Sequence, residues 1–148
     1  MKTHFQDLYQ YSLQSNQTTI GLMEKHSSTI PEKTLITFSH MLNAHHLWNH
    51  RIEGSVSSFK VWDIHPIHQL RKINENLFEQ SFRILEEHDF ERLVNYVNSQ
   101  GESYTNLVKE ILFHVVNHST YHRGQVMFQL RESVQDAIST DYIFYKRK

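Results

Sequence analysis

Three histidines in the last third of the chain are separated by steps of four residues: His114, His118 and His122. Side chains at positions i and i+4 are neighbours on a helix surface, so two imidazoles at this spacing can reach one metal ion. Residues 114 to 122 rise by about 12 Å along a helix, so the three together cannot bind one ion. We therefore interpret His118 and His122 as a candidate metal-binding pair, and His114 as a packing residue or an outer partner of the site.

The residues between His118 and His122 do not include a glutamate. The zincin HExxH motif has one there, as general base, so this pair argues against a protease of that type. A helical histidine pair can also be a polar stripe, or can lie at the edge of a core without binding a metal. The spacing alone leaves both interpretations open.

A catalytic zinc-type site commonly has three protein ligands and one open position. In a helix bundle the third ligand must come from a facing helix. The second helical segment offers four histidines: His40, His45, His46 and His50. His40 lies in the middle of this segment among apolar residues, and the other three lie nearer its C-terminal end. Spacing does not choose between His40 and its neighbours.

Arg123, Gly124 and Gln125 follow the histidine pair directly. A glycine inside a helix costs about 1 kcal/mol relative to alanine, so Gly124 suggests that another helix or a partner approaches closely there. Arg123 could pair with a carboxylate and Gln125 could orient a ligand, although simple hydrogen bonds between helices would explain both residues.

Four amphipathic segments must position these side chains. Apolar residues recur mainly at three- and four-residue steps in each, which predicts helices. The segments run from about Phe5 to Lys25, from about Glu32 to Ile52, from about Pro66 to Glu87 and from about Thr105 to Ser133. Four such helices with short links predict an all-α four-helix bundle.

The connections carry further signals. Ser28 or Thr29 is the expected cap of the second helix, and Asp63 that of the third. Residues 92–105 combine β-forming residues with a Ser-Gln-Gly turn, which favours a short hairpin before the last long helix. The aromatic tail, residues 140–145, is expected to pack back on the bundle.

Length and composition exclude several classes of protein. A chain of 148 residues fits one domain spanning 1–148. With no cysteine, thiolate metal sites and disulfides are excluded. A net charge of −1 gives no field that would attract nucleic acid, and no apolar run is long enough to span a membrane. We expect a soluble, cytoplasmic protein that binds neither nucleic acid nor membrane.

The segment from His118 to Gln125 resembles the HxxxHRGQ signature of the DinB family, within the DinB/YfiT-like superfamily of metalloenzymes. His40, eight residues before Trp48, is similar to the motif on that family's second helix, and Arg51 falls where the family often has an arginine. The Asp-Tyr-Ile segment at 141–143 resembles the family's closing segment. The resemblance covers essentially the whole chain.

This resemblance implies an up-and-down bundle with an unusual helix order, and a homodimer. It also implies a site for a divalent metal ion, most readily zinc or nickel, with His40, His118 and His122 as ligands. His45 replaces a residue that is often acidic in the family, and is expected either to act in proton transfer or to lie on the surface.

The function implied is that of a metal-dependent enzyme with an open three-histidine site, acting as a thiol-dependent transferase on a small molecule, with a low-molecular-weight thiol as partner. A metal-dependent hydrolase is one alternative. The other is a non-enzymatic, metal-stabilised bundle that serves as a stress-linked binding or dimerisation module. A further possibility is that the site is empty in vivo and the histidines are relics; protein purified almost free of metal would count heavily against the metal-dependent functions.

Overall fold

Four long helices and a two-stranded sheet make up most of the computed structural model, which describes residues 1–136 and 138–147. Among these residues the elements are α1 (Lys2–Lys25), α2 (Glu32–Glu53), α3 (Ile67–Glu87), β1 (Leu93–Val97), β2 (Ser103–Leu107), α4 (Val108–Arg131) and α5 (Tyr142–Lys146). The predicted all-α bundle with a short hairpin before its last long helix is confirmed.

The order of the helices around the bundle differs from their order in the sequence. α1 packs against α3 and α4, and α2 packs against the same two helices. The consecutive helices α1 and α2 therefore lie diagonally opposite each other. This order makes α2 a direct neighbour of α4, so a histidine of α2 can meet the pair on α4.

The core consists of two apolar clusters separated by a buried polar layer. One cluster lies towards the hairpin and includes Tyr9, Phe78 and Val115. The other lies at the opposite end and includes Phe38 and Met127. Between them are buried polar side chains from all four long helices, among them Asn16, His45, Asn49, Asn74, Ser81, Ser119 and Arg123.

The hairpin displaces the expected start of the last long helix. β1 and β2 pair antiparallel with Leu93 opposite Leu107, so the residues from Thr105 to Leu107 extend the sheet rather than the helix. α4 then begins at Val108, and Glu110 Oε2 accepts a hydrogen bond of 2.9 Å from the backbone N–H of Leu107. The expected start near Thr105 is wrong by about one turn.

The expected caps of two helices are also wrong. Pro31 and Pro66 occupy the N-cap positions of α2 and α3 in extended conformations, and neither helix has a side-chain capping bond. Asp63 instead accepts a hydrogen bond of 2.8 Å from the backbone N–H of Lys60, within the loop between the two helices.

The C-terminal segment packs on α1, as expected. The Tyr11 hydroxyl donates a hydrogen bond of 2.7 Å to the carbonyl of Thr140, and the Tyr11 and Tyr142 rings meet edge to face at 5.2 Å. In the part of the chain that the structure describes, no helix has both the length and the hydropathy needed to cross a bilayer.

Candidate metal centre

His118 and His122 lie one turn apart on the side of α4 that faces α2. Their Nε2 atoms are 3.1 Å apart and their ring centroids 4.4 Å apart. The residues just after each of them, Ser119 and Arg123, point into the buried polar layer, which fixes how the helix is turned. Both imidazoles are therefore half-buried at the surface between two helices.

His40 completes the group from α2. Its ring centroid is 5.4 Å from that of His118 and 4.9 Å from that of His122. One nitrogen from each of the three rings lies within 4.8 Å of the other two. Among residues 1–136 and 138–147 no other set of three such ligands meets this criterion. The structure thus brings together the three histidines that the family resemblance implies.

The outer nitrogens of two rings are held by acceptors. Nδ1 of His122 donates to Oε1 of Gln125 at 2.7 Å, and Nδ1 of His40 donates to the carbonyl oxygen of Val61 at 3.2 Å. With the proton at Nδ1, each ring keeps a lone pair at Nε2, the form that binds a metal. Gln125 and the Val61 carbonyl orient the two imidazoles.

This donor set fits a divalent ion. Nitrogen ligands about 2.0–2.1 Å from a tetrahedral zinc ion lie about 3.3 Å from each other, close to the 3.1 Å between His118 and His122. Two facing Nε2 lone pairs would repel each other, unless a proton or a cation lies between them. All three rings are half-buried rather than enclosed, so a bound ion would have a side open to solvent.

The surroundings of His118 and His40 favour the neutral form of these two imidazoles. Burial lowers the pKa of His118 to about 4, and the neighbouring His122, His114 and His40 add to this effect. Burial also lowers the pKa of His40, although its hydrogen bond to Val61 acts in the opposite direction. Neutral imidazole is the ligand form, so His118 and His40 need no deprotonation at neutral pH before they bind a cation.

The other histidines of α2 do not reach this centre. His45 is buried in the polar layer, where its Nε2 lies 2.7 Å from Ser81 Oγ, and burial lowers its pKa to about 3. The expectation that it lies on the surface is wrong, and a role in proton transfer has no support, because it faces α3. His46 and His50 contact each other at 4.3 Å and bind Ser58 and Ser55 of the loop.

The remaining sequence candidates have distinct places. His114 is exposed, and its ring centroid lies 5.4 Å from that of His118 and 5.1 Å from that of Trp48, which it meets edge-on. It therefore lies beside the three-histidine group, as expected for a packing residue or an outer partner. Arg123 is buried and donates to Asn16 Oδ1 at 3.0 Å, not to a carboxylate. A Cβ on Gly124 would meet nothing within 4 Å, so none of the described residues approaches this glycine as closely as expected.

Trp62 is a neighbour of the centre that sequence reasoning missed. Its ring stacks on the imidazole of His40 at 4.1 Å and 14°. Trp62 lies in the loop between α2 and α3. No spacing rule connects a loop residue to a helical histidine 22 positions earlier, so no signal in the sequence could have indicated the stacking.

Comparisons with known proteins find sequence similarity to one family. A family model described as "DinB family" matches residues 1–148. A stretch of 38 residues is 50% identical to "Protein DinB" of Bacillus subtilis (strain 168). This match covers 26% of the present chain and 22% of the length of that protein.

Proposed function

The chain belongs to the DinB family, and on that premise we propose that it is a divalent-metal-dependent enzyme that transfers a low-molecular-weight thiol to a small electrophile. The observation that carries the proposal is the convergence of His40, His118 and His122, whose ligand nitrogens lie within 4.8 Å of one another while each ring stays half-buried. A structural site would instead be closed by a fourth protein ligand.

The chemistry follows from neutral ligands. Three imidazoles leave the dipositive charge of an ion uncompensated, and such an ion lowers the pKa of a water or thiol at an open position and stabilises its anion. We propose zinc or nickel, because imidazole nitrogen suits both. The protein's own contribution is to orient two of the three rings: Gln125 Oε1 accepts a hydrogen bond from His122 Nδ1, and the Val61 carbonyl accepts one from His40 Nδ1.

The partners we propose are a small-molecule substrate and a low-molecular-weight thiol. We also propose a cytoplasmic location, where thiols are kept reduced, and a homodimer, as the family resemblance implies. Nucleic acid is not among the proposed partners, because a net charge of −1 gives no attraction to phosphate backbones.

The test uses protein purified without a histidine tag and loaded with zinc or nickel. Thiol consumption is followed with cysteine or glutathione and a neutral electrophile such as an enone. We expect metal-dependent turnover that His118→Ala abolishes and that His50→Ala leaves unchanged, since His50 bonds to Ser55 away from the centre. Turnover that survives His118→Ala would contradict the proposal.

Two other outcomes would favour the alternatives. Hydrolysis of an ester that needs the metal but no thiol would favour a metal-dependent hydrolase. Stoichiometric metal binding that raises stability without any turnover would favour a non-enzymatic, metal-stabilised module.

A further inference from the structure

Two large aromatic side chains lie exposed at the edge of the three-histidine centre. Trp62 is 66% exposed and Tyr121 is 64% exposed. Each contacts a different ligand ring: Trp62 stacks on His40 at 4.1 Å, and Tyr121 meets His122 edge to face at 5.0 Å and 75°. Both aromatic rings therefore adjoin the candidate metal centre, one through His40 and the other through His122.

Trp62 is held in this position by buried groups. The side-chain N–H groups of Asn43, a fully buried residue of α2, donate to the carbonyls of Val61 and Asp63 at 3.3 and 2.7 Å. These two carbonyls bracket Trp62 in the chain. His40 donates to the same Val61 carbonyl. These hydrogen bonds fix the backbone on both sides of Trp62, and most of the surface of its indole ring stays exposed.

Tyr121 lines two surface grooves, one that includes His118 and one that includes Gln125, the hydrogen-bond partner of His122. The first, of about 420 Å³, is lined by His114, Asn117, His118, Thr120 and Tyr121. The second, of about 560 Å³, is lined by Thr37, Tyr121, Gly124, Gln125, Phe128 and Gln129. Both volumes are in the range of small-molecule sites.

The linings of these grooves indicate the class of ligand. Neither lining includes a lysine, arginine, aspartate or glutamate. Their polar groups are amides, hydroxyls and imidazoles, and Tyr121 and Phe128 supply aromatic faces. A charged ligand group would find no counter-charge there, whereas a flat, uncharged ring system would stack on the aromatic side chains.

We propose that Trp62 and Tyr121 form an aromatic platform that binds a planar, uncharged aromatic or conjugated group of the substrate beside the three-histidine centre. This inference rests on the proposed function and deepens it, because it assigns the class of electrophile. The two residues determine specificity and are not placed among the metal ligands.

Binding can be tested without turnover. Zinc-loaded protein is titrated with coumarin, a flat and neutral fluorescent probe, and with cyclohexanone as a non-planar neutral control. We expect coumarin to bind the parent protein in preference to cyclohexanone. Trp62→Ala and Tyr121→Ala should each raise the dissociation constant of coumarin up to about tenfold, and Trp62→Phe should recover most of the affinity.

A matched control checks that the loss of coumarin affinity does not follow from removing just any exposed aromatic ring. Phe144→Ala removes a ring that is 50% exposed on α5, next to α1 rather than α4, and should leave the coumarin affinity unchanged. Zinc content should equal that of the parent in all variants. Failure of the parent to bind coumarin at millimolar concentration, or affinities within twofold of the parent in both alanine variants, would overturn the proposal.

Kinetics separate this proposal from the proposed function. If the protein transfers thiols, KM for an aromatic enone should rise in Trp62→Ala with kcat little changed, while KM for an aliphatic enone should not move. Equal effects on both enones would overturn the platform and leave the transferase intact. Sedimentation of the variants tests whether a second copy of the chain, rather than a small molecule, covers Trp62 and Tyr121. Loss of a dimer with unchanged coumarin affinity would also overturn the platform.

Discussion

Nδ1 of His122 lies 2.7 Å from Oε1 of Gln125, three residues further along α4. Since an amide oxygen only accepts hydrogen bonds, the ring carries its proton at Nδ1 and directs the lone pair of Nε2 towards His118. The glutamine of the HxxxHRGQ segment thus has a physical role: it selects the tautomer of the preceding candidate ligand, His122. Such outer partners commonly set metal affinity.

Removing this acceptor should weaken metal binding without removing a ligand. Gln125→Leu is expected to raise the dissociation constant for zinc by about 10- to 100-fold. Gln125→Glu, which still accepts from Nδ1, should keep most of the affinity. Competition with a chromophoric chelator measures both values. Gln129→Leu, one turn further along the helix, is the control; equal affinities for Gln125→Leu and Gln129→Leu would disprove the role of Gln125.

Stability should fall in mild acid because of His45. Burial lowers its pKa to about 3 in the folded protein, while the unfolded chain has the ordinary value of 6.5. The unfolded state therefore binds a proton first as the pH falls below 6.5, and the stabilisation is lost progressively towards pH 3. Between pH 7 and pH 5 this residue alone should cost about 2 kcal/mol of unfolding free energy.

Urea denaturation of metal-free protein at the two pH values measures this loss. His45→Gln cannot titrate, so its loss between pH 7 and pH 5 should be smaller than that of the parent by about 2 kcal/mol. His68→Gln, at an exposed position of α3, should behave like the parent. The interpretation fails if His45→Gln shows the same pH dependence as the parent.

Arg123 is a buried cation whose hydrogen-bond partners are neutral. It donates to Asn16 at 3.0 Å and to Thr120 at 3.4 Å, and its guanidinium lies over the Tyr11 ring at 5.1 Å. Asn16→Ala would leave this charge short of an acceptor, so we expect a loss of about 2–4 kcal/mol of unfolding free energy. Thermal and urea unfolding measure this loss. As a control, Gln14→Ala at an exposed position of α1 should change the unfolding free energy by less than about 0.5 kcal/mol. A loss as small as that of Gln14→Ala would show that Arg123 does not depend on Asn16.

Local patterns predicted the elements of the fold well. Apolar periodicity located the four long helices within a few residues, and the β-forming residues around Gly101 predicted the hairpin. The exact start of α4 could not be predicted, because the cross-strand pairing of Leu93 with Leu107 decides it, and apolar periodicity does not report the register of a hairpin.

The candidate site was only partly predictable from spacing. The four-residue step identified His118 and His122, but the choice of His40 came from the family motif. The structure shows why His45 cannot take the place of His40. The two residues are five positions apart, which turns the helix by about 140° beyond a full turn, so His45 faces α3 when His40 faces α4. The partners of Arg123 and the stacking of Trp62 depend on contacts between distant segments, which periodicity does not report.

X-ray absorption of tag-free, zinc-loaded protein tests the metal centre most directly. We predict one zinc ion per chain, bound by three imidazole nitrogens and at least one further light ligand that is not from the protein. His40→Ala should lose stoichiometric binding, while His50→Ala should keep the parent spectrum. Protein that stays free of zinc after loading, or His40→Ala with the metal content and spectrum of the parent, would contradict the assignment of His40, His118 and His122 as ligands.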